Sequence, residues 1–296
     1  MTAVELPASP AVTAVSNHRR FIRRFVRNRV GAVAAVFLLL AVLASVLAPL
    51  IAPHDPLEQD LSRSLEPPSA GHLLGTDELG RDVLSRLLYG GRISLSAAAL
   101  VVGVALVLGV IPGLLAGYLG GWTDRVVSFI TDALMSIPPL ILALGVIAVM
   151  GPGLVNSMIP VGVIFAPRFA RVTRSAVIAV RNETYVEAAR TIGTPTSRII
   201  WSHVLPNVLS PIFVQASLMG GFAMLAEAGL SYLGLGVQPP QASWGAMIGS
   251  ASRVLNREPV LIVWPGLCVT LCVLSFSLIG DALRDAIGRE VVRSDA

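Results

Sequence analysis

The sequence predicts an all-α, polytopic membrane protein with six transmembrane helices and both termini on the cytoplasmic side. Three observations lead there. Hydrophobic residues make up 54% of the chain and charged residues 14%, too little polar surface to cover a soluble globule of 296 residues. Several apolar stretches reach the roughly 20 helical residues that cross about 30 Å of hydrocarbon. With both ends inside, sixteen of the 22 basic residues, all arginine, fall on the cytoplasmic side and six outside, as the positive-inside rule requires.

Residues 1–30 read as a cytoplasmic tail carrying Arg19, Arg20, Arg23, Arg24, Arg27 and Arg29. Arg19-Arg20-Phe21-Ile22 loosely resembles a twin-arginine signal, but the apolar run after it outlasts a signal core of roughly 7–15 residues, and further spans follow. Residues 31–52 are therefore an uncleaved first span. Residues 53–92 form an extracytoplasmic segment rich in proline and acids. The five-span core covers 93–281, and 282–296 form a cytoplasmic C-terminal tail.

Within that core the second span covers about 93–118 and carries Gly109, Gly113, Gly117 and Gly121 at four-residue spacing. Such a ladder strips one helix face so that another helix can approach, either in the same chain or in a second transmembrane subunit. The third span, about 126–150, is bounded by Gly120-Gly121 and by Gly151-Pro152-Gly153, which supply tight turns. Asp132 lies near its cytoplasmic end. The fourth, about 154–172, contains Pro160 and Pro167 and ends in Arg168, Arg171 and Arg174 on one helical face. Its helix is expected to run on into the cytoplasm, with the arginines snorkelling toward lipid phosphates. The fifth and sixth spans are about 207–228 and 259–281.

Between the fourth and fifth spans, the cytoplasmic loop 181–206 has clear punctuation. Thr184-x-x-Glu187 reads as a capping box that starts a helix. Gly193 fits the left-handed position that ends it, Thr194 can cap the next helix, and Pro195 suits that helix's first position. The second helix is read as short and ending at Pro206. A helical corner of this kind, projecting from a membrane bundle, can pass force to the spans on either side of it.

Several chemistries are excluded or set aside. No lysine occurs, which removes the phosphate-gripping residue of a GxxxxGK[ST] loop and any Schiff-base step. Cys268 and Cys272 lie one helical turn apart, a poor geometry for a disulfide, and read as packing residues. No serine or histidine sits in a recognisable nucleophile motif. His54, Asp55, His72, Asp77 and Glu78 share the outer segment, but their spacing matches no metal motif and no metal site is expected. Within the extracytoplasmic loop 229–258, residues 237–258 read as a short amphipathic helix lying at the membrane surface, with Tyr232 and Trp264 as belt residues. Glu227, placed at an interfacial depth where it meets water, joins Ser231, Tyr232, Gln238 and Trp244 as a candidate gate or outer mouth.

Glu187-Ala188-Ala189-x3-Gly193, with Leu205-Pro206 downstream, resembles the EAA loop of membrane subunits in binding-protein-dependent ABC importers. His203 stands where the general motif has isoleucine. His72–Leu87 and Glu227–Pro240 resemble the C-type permease subunit of the dipeptide/oligopeptide (peptide/nickel) importer family, and the resemblance runs from about residue 20 to 290; Leu73 stands where proline is common.

The resemblance implies a type I importer permease in the cell (plasma or inner) membrane. It implies an ATPase-docking coupling loop through Glu187, Ala188, Ala189, Arg190, Gly193, Thr194, Pro195, Arg198, Leu205 and Pro206. It further implies a B-type permease partner, two cytoplasmic ATPase subunits that hold the ATP and Mg, and an extracytoplasmic substrate-binding protein. No cofactor on this chain, no catalysis by it and no nucleic-acid contact are expected, and the cargo would be di- or oligopeptides. Nickel, glutathione or a cell-wall peptide would suit the same architecture. A different class, an ion-coupled secondary carrier, would be expected to show internal repeats and a mid-membrane ionisable site, and the sequence has neither.

Overall fold

The computed structural model describes residues 25–294; the arginines at 19, 20, 23 and 24 and most of the N-terminal tail lie outside the described residues. Among those described, the regular structure is helical, apart from one isolated bridge between Thr76 and Asp82. Helix α1 is Arg29–Val46, capped by the Asn28 side chain, which accepts from the Gly31 amide, and followed by a helical turn at Ala48–Ile51. The outer segment then runs with little regular structure to Asp82, whose carboxylate accepts from the Ser85 amide and so caps helix α2, Val83–Leu119.

Helix α2 is 37 residues long, about 55 Å at 1.5 Å per residue, and is the axis of the molecule. Three rungs of its glycine ladder pack within the same chain against α5, Leu154–Val180. A Cβ at Gly109 would lie 2.4 Å from the Ala166 carbonyl oxygen, one at Gly113 2.6 Å from that of Ala170, and one at Gly117 2.7 Å from the Val177 Cβ. Only glycine permits the two backbones to come this close. The fourth rung, Gly121, has open space around it and begins the next helix instead.

The stretch read as a third span is two helices, α3 Gly121–Met135 and α4 Pro139–Met150. Pro138 biases Ile137 away from helical backbone, while Pro139 takes the first-turn position of α4, where no N–H is needed. Helix α5 follows the Gly151-Pro152-Gly153 turn and remains continuous through Pro160 and Pro167. Its arginines do not all snorkel: Arg174 forms a two-pronged ion pair with Asp124, and Arg171 pairs with Asp132 at 2.6 Å, both acids lying on α3. Arg168 lies over the rings of Phe165 and Phe222, 5.5 and 5.3 Å from their centroids.

Helix α6, Thr184–Thr191, leads to the short α7, Thr196–Ile199. Contrary to expectation, the second helix does not end at Pro206. A π-helical turn over Ile200–Val204 carries it into α8, Leu205–Tyr232. Proline has no N–H to donate, and a wider turn just before it accommodates that gap without breaking the helix. Helix α9, Trp244–Arg253, and α10, Val260–Ser294, complete the chain. Helix α10 packs on α8, where a Cβ at Gly220 would meet the Phe276 ring at 2.6 Å, and on α1, where Gly31 abuts Ala282.

Among the described residues, four helical stretches are long and apolar enough to cross a membrane: Arg29–Val46, Val83–Leu119, Thr196–Tyr232 and Val260–Ala286. Their outward faces carry many exposed large apolar residues, including Leu40, Leu108, Phe213 and Leu274, as a lipid-facing surface requires.

Candidate functional site: a helical corner and a buried carboxylate network

Two clusters sit near opposite ends of α2, whose Ser94 and Tyr118 are about 36 Å apart along the axis. The first is the corner made by α6 and α7. Gly193 has φ +77°, the left-handed backbone that glycine adopts freely. Around it the Thr194 amide donates to the Ala189 carbonyl and the Gly193 amide to that of Arg190, both at 3.0 Å, the paired bonds of a Schellman helix end.

The helix starts differ from the capping expectation. Glu183, not Thr184, occupies the N-cap of α6, and Pro195, not Thr194, that of α7; neither provides a side-chain cap. The chain before Thr184 folds back as a turn, with the Val186 and Glu187 amides donating to the Glu183 carbonyl, so the helical register begins one residue earlier.

The inner face of the corner is anchored and the outer face is free. Val186, Ala189, Ile199 and Val204 are buried, and Leu205 is half-buried. Arg190 donates from Nε to the Tyr118 hydroxyl at 3.0 Å, with its guanidinium 4.9 Å from that ring's centroid, and Arg181 donates to the Gly117 carbonyl at 3.0 Å. Both bonds fasten the corner to the end of α2. Glu187, Ala188, Gly193, Pro195, Arg198 and Pro206 face outward, and Thr194 is half-buried.

Sequence reasoning missed the apolar part of this surface. Ile192 is 81% exposed, Trp201 53% and Tyr185 41%. Large apolar side chains exposed on a polar helix pair make this face a candidate for docking. For Ile192, its position next to Gly193 in the sequence was the available signal.

At the other end of α2, Glu227 does not meet water: it is fully buried. Its Oε2 accepts from the Ser94 hydroxyl at 2.9 Å and its Oε1 from the Ser231 hydroxyl at 2.7 Å. Ser94 in turn accepts from the Trp244 amide, and the buried Trp244 indole donates to the Leu87 carbonyl at 2.9 Å. Helices α2, α8 and α9 are thus joined through one carboxylate. Trp244 is a buried residue rather than a surface one, and the close approach of Gly245 to the Ala228 backbone seats α9 against α8. Gln238 braces the preceding loop by donating to the Gly234 and Gly236 carbonyls, while Tyr232 is half exposed beside the network.

The acids and histidines between α1 and α2 are sorted by the fold. Asp77 accepts from Arg81 Nε at 2.7 Å and pairs with Arg86 at 3.3 Å, and Glu78 pairs with Arg81. Asp55 accepts from the Leu57 amide. His54 and His72 instead meet Asp82, which sequence reasoning had not grouped with them. Burial acts to raise the Asp82 carboxyl, but the Ser85 amide, the His72 ring and the Ser85 hydroxyl outweigh it and hold the group below the usual carboxylate value.

Residues 105–293 match the family of binding-protein-dependent transport system inner membrane components, and residues 16–68 match the N-terminal transmembrane domain of oligopeptide transport permease C. A dipeptide transport system permease protein DppC of Alkalihalophilus pseudofirmus is 39% identical, over 95% of this chain and 92% of that protein. A glutathione transport system permease protein GsiD of Pectobacterium atrosepticum is 41% identical, over 91% and 90% respectively. The di/tripeptide transport system permease protein DppC of Pseudomonas aeruginosa is 42% identical, over 79% of each chain. Among solved structures, a chain of the MetNI methionine ABC transporter in inward-facing form shares the fold, with a TM-score of 0.53 and 21% identity over 72% of this chain and 96% of that one.

Proposed function

This chain belongs to the family of binding-protein-dependent transport system inner membrane components, as a C-type permease of the peptide ABC importers, and from that membership we propose that it forms half of a pathway for short peptides. The observation that carries the reading is the corner. It presents Ile192, Trp201, Pro195 and Arg198 outward while Arg190 and Arg181 bind it to the end of α2. A body docked on that face moves α2 with it, and α2 is the helix whose other end is held by the Glu227 network.

In this reading the chain crosses the membrane six times with both termini inside, the α3–α4 pair and α5 adding to the four long spans. The domain division is tail 1–30, first span 31–52, outer segment 53–92, core 93–281 and tail 282–296, with the coupling loop at 181–206 and the outer loop at 229–258. The corner docks on cytoplasmic ATPase subunits, which bind ATP and Mg, and this chain binds neither and catalyses nothing. A B-type permease supplies the other half of the pathway, and an extracytoplasmic binding protein delivers cargo to the mouth closed by Trp244. An ion-coupled carrier is set aside by the family itself.

Peptide cargo is supported by the names of relatives, two for di- or tripeptides and one for glutathione, itself a small peptide. Nickel shares the architecture without such support here. The test is growth of an amino-acid auxotroph lacking this subunit and any second peptide importer. It should fail on the required amino acid supplied as a dipeptide while growing on the free amino acid. Equal growth on both would refute peptide cargo.

A further inference from the structure

We propose that His54, His72 and Asp82 form a resident site for a divalent transition metal of the zinc type, which clasps the outer segment to the start of α2. One ligand atom from each of the three lies within 4.8 Å of the other two. The His72 Nδ1 is 2.9 Å and the His54 Nδ1 3.7 Å from the same oxygen, Asp82 Oδ1. Ligand atoms around a four-coordinate zinc, each about 2.0–2.1 Å from the metal, are roughly 3.3 Å apart, so these separations bracket what the ion needs.

The carboxylate is already oriented for the task. Its Oδ2 is occupied by the Ser85 amide and hydroxyl at 2.8 and 2.7 Å, leaving Oδ1 to face the two imidazoles. A purely structural cluster leaves one of them unexplained, since the His54 Nδ1 is buried without any hydrogen-bond partner. The His54 backbone is nonetheless held in place, its amide donating to the Ser85 hydroxyl at 3.1 Å, and its ring lies 4.7 Å from that of His72. Asp55, Glu58 and Asp60 line the same pocket of about 100 Å³, adding negative charge and room for a fourth ligand such as water. Two imidazoles and a carboxylate favour zinc, cobalt or nickel over magnesium or calcium.

Arg63 competes with the ion. It lies 3.2 Å from the His72 Nε2, where the ring accepts, so the imidazole proton sits on Nδ1 toward Asp82. Metal binding at Nδ1 moves that proton to Nε2, turning it into a donor and displacing Arg63, whose half-exposed side chain is free to leave.

The test uses the full-length, untagged chain in lipid nanodiscs, titrated with zinc against a fluorescent chelator and with cobalt(II), whose visible spectrum reports tetrahedral coordination. One equivalent should bind. His54→Ala, which removes no hydrogen bond of its side chain, should weaken binding at least about 100-fold, the upper end of what even outer-shell changes produce. His203→Ala should leave binding unchanged, Arg63→Ala should tighten it, and excess magnesium should not compete. Zinc should also raise the thermal midpoint of the wild type and not that of His54→Ala, with the two metal-free midpoints alike. Absence of binding, or zinc affinity indifferent to His54→Ala, overturns the site.

Discussion

Glu227 illustrates how much one residue's surroundings decide. A carboxylate with both oxygens accepting from buried hydroxyls holds three helices in register, and removing it leaves those hydroxyls without an acceptor. Each orphaned donor costs about 1–3 kcal/mol, so Glu227→Leu should lower the thermal midpoint of the solubilised protein markedly. Glu227→Gln keeps one acceptor and should lose less. A Leu variant as stable as the wild type would show that the network is not structural. The sequence signalled Glu227 and Ser231 by their proximity to the end of a span. It could not show that Ser94, 133 residues away in the chain, would close over the carboxylate, because that contact depends on how α2 lies against α8. The Asp82–histidine cluster escaped notice for the same reason: its members lie in a segment without periodicity and are brought together only by its folding.

At the scale of elements, legibility followed periodicity and punctuation. The helix end at Gly193 and the turn at Gly151-Pro152-Gly153 were readable because glycine is there for its backbone. The break between α3 and α4 was missed: Pro138-Pro139 marks it, but the apolar run across it read as a single span. Pairing of Arg171 and Arg174 with acids on α3 was not readable, because charge spacing along one helix says nothing of its neighbour. The glycine ladder gives the sharpest element-level prediction. Gly113→Leu drives a side chain into the Ala170 carbonyl and should destabilise the α2–α5 pair by about 1–3 kcal/mol, read as a lower steady-state level and thermal midpoint. Gly103→Leu, on the same helix with open space around it, should change neither. Equal behaviour of the two variants would remove the ladder's role in packing within the chain.

For the whole molecule, the proposed function links orientation and coupling, because in that reading the corner faces the ATPases and the Trp244 end faces the binding protein. In a background lacking Cys268 and Cys272, single cysteines at Ser62 and Ser252 should react with an impermeant thiol reagent in sealed cells, and one at Thr196 only after permeabilisation. Labelling of Thr196→Cys from outside would invert the topology.

In the proposed function, coupling rests on the Gly193 corner. The site has space for a side chain, with nothing within 4 Å of a Cβ, but its φ of +77° does not suit a β-branched residue. Gly193→Val should therefore strain or rotate the corner by about 1–2 kcal/mol without disturbing the membrane helices, whereas Gly193→Asn, which tolerates this backbone, should not. The decisive measurement is peptide uptake together with ATP hydrolysis by the importer reconstituted in proteoliposomes. Uptake per ATP hydrolysed should fall severalfold in Gly193→Val at normal expression and return toward wild type in Gly193→Asn. A Gly193→Val importer that transports at the wild-type rate with its ATPases bound would contradict the corner's role as the coupling element.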